Sequence, residues 1–302
     1  MSHDAPRVGI GSFRSSIAQA EARWVGRELR RVRPHLKVEY AIFARGASRG
    51  PATKELDEAL ARGAIDVAVH VARHVPLDPV AGTCLAAVPT RELPFDVLIA
   101  PAVNSFEELP GGARVGASGA HRRAQLLSQR SDLVVIDAPT DSEECLARVE
   151  RGELDAVIVP GADLERLGLA DRVAEILLSS LFLPAGGQGA IALRVREKDA
   201  RAREIAGALD DPVARAAVVA ELACLRAIGG GPDAPVAAYC EAMGEDLSLE
   251  ALVSSPDGRR TIRDSEEGTV AEARALGEAL ARRILDDGGE SILRSVASGT
   301  HG

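Results

Sequence analysis

The chain has 302 residues, 46% of them hydrophobic but only 3% aromatic, and a formal net charge of −9. That length exceeds one typical domain, and its Ala, Val and Leu content suffices for two or three cores of ~100 residues each. The acidic balance argues against bulk nucleic-acid or anionic-membrane binding, where a basic footprint supplies the affinity, so any anion site must be a local basic pocket. No run of roughly 18 uncharged apolar residues is present, and Met1-Ser2-His3-Asp4-Ala5-Pro6 does not read as an export leader, so a cytoplasmic location is expected. Cys84, Cys145, Cys224 and Cys240 show no C-x-x-C spacing. Buried free thiols are expected for most of them, with neither a disulfide framework nor a metal site.

Apolar periodicity predicts a strand over 7–11 and a helix from Ser15 to Val32 that ends at Pro34. A strand over Val38 to Ala44 leads into the polar loop from Arg45 to Pro51, and Thr53 caps a helix over Lys54 to Ala61. Ile65 to Val71 reads as a buried strand that stops at Arg73-His74-Val75-Pro76, which places a basic pair at a strand end. After Pro94 the pattern restarts: strand 97–100, a helix near Ser105 to Leu109, strand 113–117, helix 121–129, strand 132–136, helix 141–150 and strand 154–159. Such alternation predicts α/β layers with mostly parallel sheets. The Gly-rich crossing from Leu183 to Ala190 enters a strand over Ile191 to Val195. A helix from Pro212 to about Ile228, strands at 234–240, 247–253 and 259–264, and a helix over 269–286 predict a small C-terminal α+β domain.

The chain also repeats itself. Arg7-Val8-Gly9-Ile10-Gly11-Ser12 is echoed by Arg114-Val115-Gly116-Ala117-Ser118-Gly119, and the stretch from Arg62 to Val69 by that from Arg151 to Ile158. Each copy joins a strand to a Gly/Ser turn and a helix, so each offers backbone N–H groups and a positive dipole end to an anion. Ser12, Ser15 and Ser118 are placed either to donate to a carboxylate or to cap those helices.

In their order along almost the whole chain, these landmarks resemble the porphobilinogen deaminase (hydroxymethylbilane synthase) family. The residues that carry the match are Gly11-Ser12-Phe13-Arg14-Ser15, Arg45-Gly46, Lys54-Glu55-Leu56, Asp66 to His70 with Val75-Pro76, and Val115 to Ser118. They continue through Arg122 to Leu126, Gly152 to Ala156, Arg166 to Leu169, Leu183 to Ala190 and Gly230-Gly231. The resemblance implies two type II periplasmic-binding-protein-like lobes plus a C-terminal domain. Lobe one spans 1–93 and 186–208, lobe two 94–185, and the C-terminal domain 209–302. It also implies an enzyme that joins four porphobilinogen units, releasing ammonia, on a dipyrromethane primer held by a cysteine thioether, and that works as a monomer. Substrate contacts are expected at Arg14, Ser15, Arg45, Arg73, Ser118, His121, Arg122 and Gln188.

The sequence departs from that pattern where the chemistry is most demanding. His74 stands at the position of the family's catalytic aspartate and Arg73 at that of the preceding lysine. Pro232 stands at that of the primer cysteine, so covalent attachment there is expected to be absent; Cys224 and Cys240 are the nearest sulfurs. Phe13, His121, Pro139 and Cys145 occupy family arginine positions, Ala47 an aspartate position, and the loop from Ser48 to Thr53 is shortened. Two readings follow: a divergent deaminase of tetrapyrrole synthesis, or a non-catalytic binder of a small pyrrole or carboxylate on the same fold. A solute receptor built on the same lobes is a third, disfavoured by the absent leader and the extra C-terminal domain.

Overall fold

The computed structural model describes residues 6–44, 54–75, 81–229 and 234–298. In chain order its elements are β1 (Arg7–Phe13), α1 (Ser16–Val32), β2 (Lys37–Phe43), α2 (Lys54–Ala61), β3 (Val67–Val71), β4 (Thr83–Ala87), β5 (Asp96–Ile99) and β6 (Arg114–Ala117). Then come α3 (Ala120–Gln129), β7 (Val134–Asp137), α4 (Ser142–Glu150), β8 (Ala156–Pro160), α5 (Gly161–Leu167), β9 (Glu175–Leu177), β10 (Ile191–Arg196) and α6 (Ala200–Gly207). The remainder is α7 (Pro212–Ile228), β11 (Val236–Met243), β12 (Asp246–Ser254), β13 (Thr261–Thr269), α8 (Ala273–Ile284) and α9 (Glu290–Ala297). The chain divides into two compact units, one of residues 1–92 with 190–215, the other of 93–189 with 216–302.

In the first unit the sheet order is β2-β1-β3-β10-β4. β1 runs parallel to β2 and β3, while β10 is antiparallel to both β3 and β4, so four strands share a direction and β10 alone is reversed. Every residue of β3 is buried, the pattern of a central strand covered on both faces. Ala22, Val25 and Leu29 of α1 and Ala202, Ile205 and Ala206 of α6 pack on one face. Leu56, Ala59 and Leu60 of α2 pack on the other with Ile65 and Ala68.

The second unit builds the same sheet from other strands, in the order β7-β6-β8-β5-β9 with β5 reversed. It also carries the antiparallel sheet β11-β12-β13, whose inner face meets α7 and α8 through Ala220, Cys224, Leu249, Ala251, Leu276 and Leu280. The mostly parallel α/β sheets and the small C-terminal sheet match the fold class expected from the sequence.

The internal repeat is real: the echo of the Arg62 to Val69 stretch in Arg151 to Ile158 holds in register, whereas that of Arg7 to Ser12 in Arg114 to Gly119 lies two residues off. The Asp66 carboxylate accepts the Gly9 amide at 2.8 Å, and the Asp155 carboxylate accepts the Arg114 amide at 2.7 Å. The Asp66 and Asp155 amides return to the Gly9 and Arg114 carbonyls. Gly9 therefore corresponds to Arg114, and Gly11 to Gly116. A Cβ at Gly11 would overlap Ile65, and one at Gly116 would overlap Leu154; these are the residues just before the two aspartates. Close approach of strand and loop, rather than the wording of the motif, sets the correspondence.

The helix expected near Ser105 to Leu109 is a series of turns. Its amides are taken by side chains: Glu108 accepts from Asn104 and Glu175 from Phe106, so no i→i−4 ladder forms. The helix expected over 269–286 starts later, because β13 extends to Thr269, and the helical path breaks at Gly288, where φ is +114°. β4, α5, β9 and α6 are additional short elements that the sequence reading did not assign.

Candidate functional site

In the first unit the strand-to-helix turn after β1 lies beside the ends of its parallel neighbours β2 and β3, at the carboxyl edge of the sheet, where open α/β sheets bind ligands. Ser12 is fully buried and its Oγ donates to the Ala18 carbonyl at 2.7 Å, so it serves the turn itself. Ser15 is the N-cap of α1 and accepts from the Ala18 amide. Arg14 is exposed beside it. Arg73 and His74 lie half-buried in a single 3-10 turn where β3 ends. Thus Arg14, Ser15, Arg73 and His74 share one sheet edge, while Arg45 and Pro232, with the loop Ser48–Thr53, lie outside the described residues.

The equivalent turn in the second unit differs. Gly119, with φ of +90°, precedes α3 without any side-chain cap, so the first-turn amides of that helix keep their capacity for an anion. Ser118 and His121 sit half-buried at this end. Arg122 points into the interior and is 5% exposed. Its Nε and Nη2 donate to the two Asp96 carboxylate oxygens at 2.9 Å each, Nη1 donates to the Ser118 carbonyl at 2.8 Å, and Nη2 also donates to Gln188 Oε1 at 2.7 Å. Gln188 Nε2 in turn donates to Asp96 and to the Pro94 carbonyl. Ser118, His121, Arg122 and Gln188 are thus brought together. The guanidinium of Arg122 and the amide of Gln188, however, form a frame beneath the helix end.

Asp96 and Glu221 escaped the sequence reading. Burial pushes the Asp96 carboxyl up, but the charge and hydrogen bonds of Arg122, with help from His121 and Gln188, outweigh it and leave the group below its ordinary 3.8. Glu221 is buried on α7; its carboxylate accepts the Gly187 amide at 2.6 Å and the Cys240 amide at 2.7 Å, fixing the Gly-rich crossing to β11. The available signal was a lone carboxylate in an apolar run, at the head of a strand for Asp96 and inside an Ala/Val/Leu helix for Glu221.

Three of the four sulfurs are set away from solvent. Burial, then the Asp141 charge, pushes the Cys145 thiol up to about 11, and burial, then Glu221, pushes Cys224 to about 12. Cys240 is 2% exposed within the C-terminal core. Cys84, on β4, is half-buried.

Two family models cover most of the chain: porphobilinogen deaminase, dipyromethane cofactor binding domain, over residues 8–204, and porphobilinogen deaminase, C-terminal domain, over 215–286. The chain belongs to the porphobilinogen deaminase family. A porphobilinogen deaminase of Syntrophotalea carbinolica is 37% identical over 98% of this chain and 97% of its own length. One of Thermus thermophilus is 39% identical over 96% of this chain and 99% of its own. Among solved structures, the substrate-binding domain of a putative molybdenum ABC transporter from Clostridium difficile overlaps with a TM-score of 0.47 and 14% identity, covering 68% of this chain and 92% of that one.

Proposed function

We propose that this member of the porphobilinogen deaminase family binds a small anionic pyrrole or carboxylate of porphyrin and heme biosynthesis without tethering it, and that ordinary turnover is lost. The inaccessibility of three of its four sulfurs carries the reading, the fourth, Cys84, being half-buried on β4, far along the chain from the family cysteine position. A thioether primer requires a thiolate, and Cys145 and Cys224 are held protonated by burial while Cys240 sits in a core. Cys145, Cys224 and Cys240 do not fit a covalently attached dipyrromethane, and Pro232 has no nucleophile to offer.

A pyrrole carboxylate suits the uncapped α3 amides of the second unit, and, taken by itself, the edge of the first unit where Arg14 and Arg73 stand, whose guanidinium forks suit carboxylates. His74 stands in place of a carboxylate. Loss of ammonia from porphobilinogen leaves a cationic carbon, and an imidazolium at that point repels the charge an aspartate would stabilise. The near-full-length identity to proteins named porphobilinogen deaminase favours a second reading, in which turnover proceeds on a primer held without a covalent bond.

Intact-mass measurement of the purified protein before and after porphobilinogen, with ammonia assayed in parallel, separates the two. Saturable binding with unchanged mass and no ammonia is the expected result. Ammonia release with unchanged mass supports the second reading, and a covalent pyrrole adduct on any cysteine overturns both.

A further inference from the structure

The strongest positive charge on this acidic chain lies in the first unit, around α1 and the strand that follows it. Between residues 23 and 37 stand Arg23, Arg27, Arg30, Arg31, Arg33 and Lys37 against Glu28 alone. Arg31 pairs with Glu28 and Arg33 with Glu204. Arg23, Arg27 and Arg30 are exposed and form no ion pair among the described residues. Elsewhere exposed arginines commonly take a carboxylate, as Arg114 takes Asp155 and Arg151 takes Glu144 and Glu153.

These three side chains have a defined neighbour. At Gly26 an added Cβ would overlap the Tyr40 hydroxyl, so the ring of Tyr40 lies across α1 at that glycine. Arg23 is three residues before Gly26 and Arg30 four after, so both flank Tyr40 on the same helix face, with Arg27 beside them. Tyr40 is still 40% exposed, and Ile42, two residues along the same face of β2, is 42% exposed. β2 is the outermost strand of its sheet, and among the described residues it pairs only with β1. Its outer row of backbone N–H and C=O groups is therefore a template for another strand.

We propose that the α1 flank and the open edge of β2 form a docking surface for an extended acidic segment of a partner protein. The segment adds to β2 as a strand, sets its carboxylates against Arg23, Arg27 and Arg30, and lays alternate apolar side chains on Tyr40 and Ile42. Charge complementarity selects an acidic occupant, and the open backbone edge selects a polypeptide over a nucleic acid or a lipid surface, neither of which adds a strand to a sheet.

The test is fluorescence anisotropy with a labelled alternating Glu-Val decapeptide as the probe. Binding that weakens as salt is raised is expected, with hydrogen-exchange protection appearing in β2. Arg23→Ala/Arg27→Ala/Arg30→Ala, which changes only exposed groups, should keep its circular dichroism spectrum and lose about tenfold in affinity. A decapeptide N-methylated at alternate residues should not bind. Unchanged affinity of the triple variant, equal binding of the N-methylated peptide, or tighter binding of polyuridylate or phosphatidylserine vesicles than of the decapeptide would each overturn the proposal.

Discussion

Arg122, expected from the sequence at a substrate contact, forms an ion pair with Asp96. Both are buried, and a buried ion pair is costly to break because the survivor keeps its charge without compensation. Arg122→Met is therefore expected to destabilise the fold by about 3–5 kcal/mol at neutral pH, measured by urea denaturation, with Asp96→Asn/Arg122→Met losing markedly less. The pH dependence has a definite sign. The Asp96 carboxyl is held below 3.8 in the native protein, so its contribution is complete above that value and is lost as pH falls through the depressed native value. In Arg122→Met the unpaired carboxyl is instead pushed up, so the variant's deficit against wild type should shrink on acidification. The thiols give a second expectation at this scale. Alkylation of the native protein at pH 8 should modify Cys84 and spare Cys145, Cys224 and Cys240, whereas all four should react in urea, as read by peptide mass mapping.

At the scale of elements, two glycines separate packing from conformation. Gly277 lets α8 cross α7 so closely that a Cβ would strike the backbone at Ala220 and Cys224, neither of which is a flexible chain end. Gly277→Ala should cost about 1–3 kcal/mol through displacement of the helix. Gly207 ends α6 with open space around its Cα and no positive φ, so Gly207→Ala should stabilise by about 0.4–1 kcal/mol by restricting the unfolded chain. Thermal melts of the two variants, moving in opposite directions, check both. The same contrast explains what the sequence made legible. α1 announces itself because its burial follows the helical period, and β3 and β8 because each is a short apolar run buried throughout. The turns at Ser105 to Leu109 do not, since the group that captures the Phe106 amide is Glu175, 69 residues on. Likewise the pairing of Arg122 with Asp96 and Gln188 was not legible, because these partners lie 26 and 66 residues away. The sequence located the site's neighbourhood; the direction in which each cation points depended on contacts that no local pattern encodes.

Across the whole molecule, the proposed loss of turnover rests on two positions with different chemical requirements, Pro232 where the family resemblance puts a cysteine and His74 where it puts an aspartate. On that proposal, Pro232 lacks the sulfur to which a primer would attach, and His74 lacks the negative charge that would meet a developing cation. Independent requirements are restored independently, so Pro232→Cys alone should gain the mass of a covalently held pyrrole primer when incubated with porphobilinogen, yet turn over poorly. His74→Asp alone should bind porphobilinogen and show no adduct. Only Pro232→Cys/His74→Asp should do both, with the carboxylate adding roughly 10²–10³-fold to ammonia release over the cysteine variant, the scale on which one preorganised electrostatic group acts. Because each single variant reports on one requirement by mass and the other by ammonia, the four proteins form a closed cycle in which coupling between the sites is read directly. Wild-type protein that consumes porphobilinogen as fast as the double variant would show that neither substitution disables the reaction, and that the family chemistry runs here through other residues.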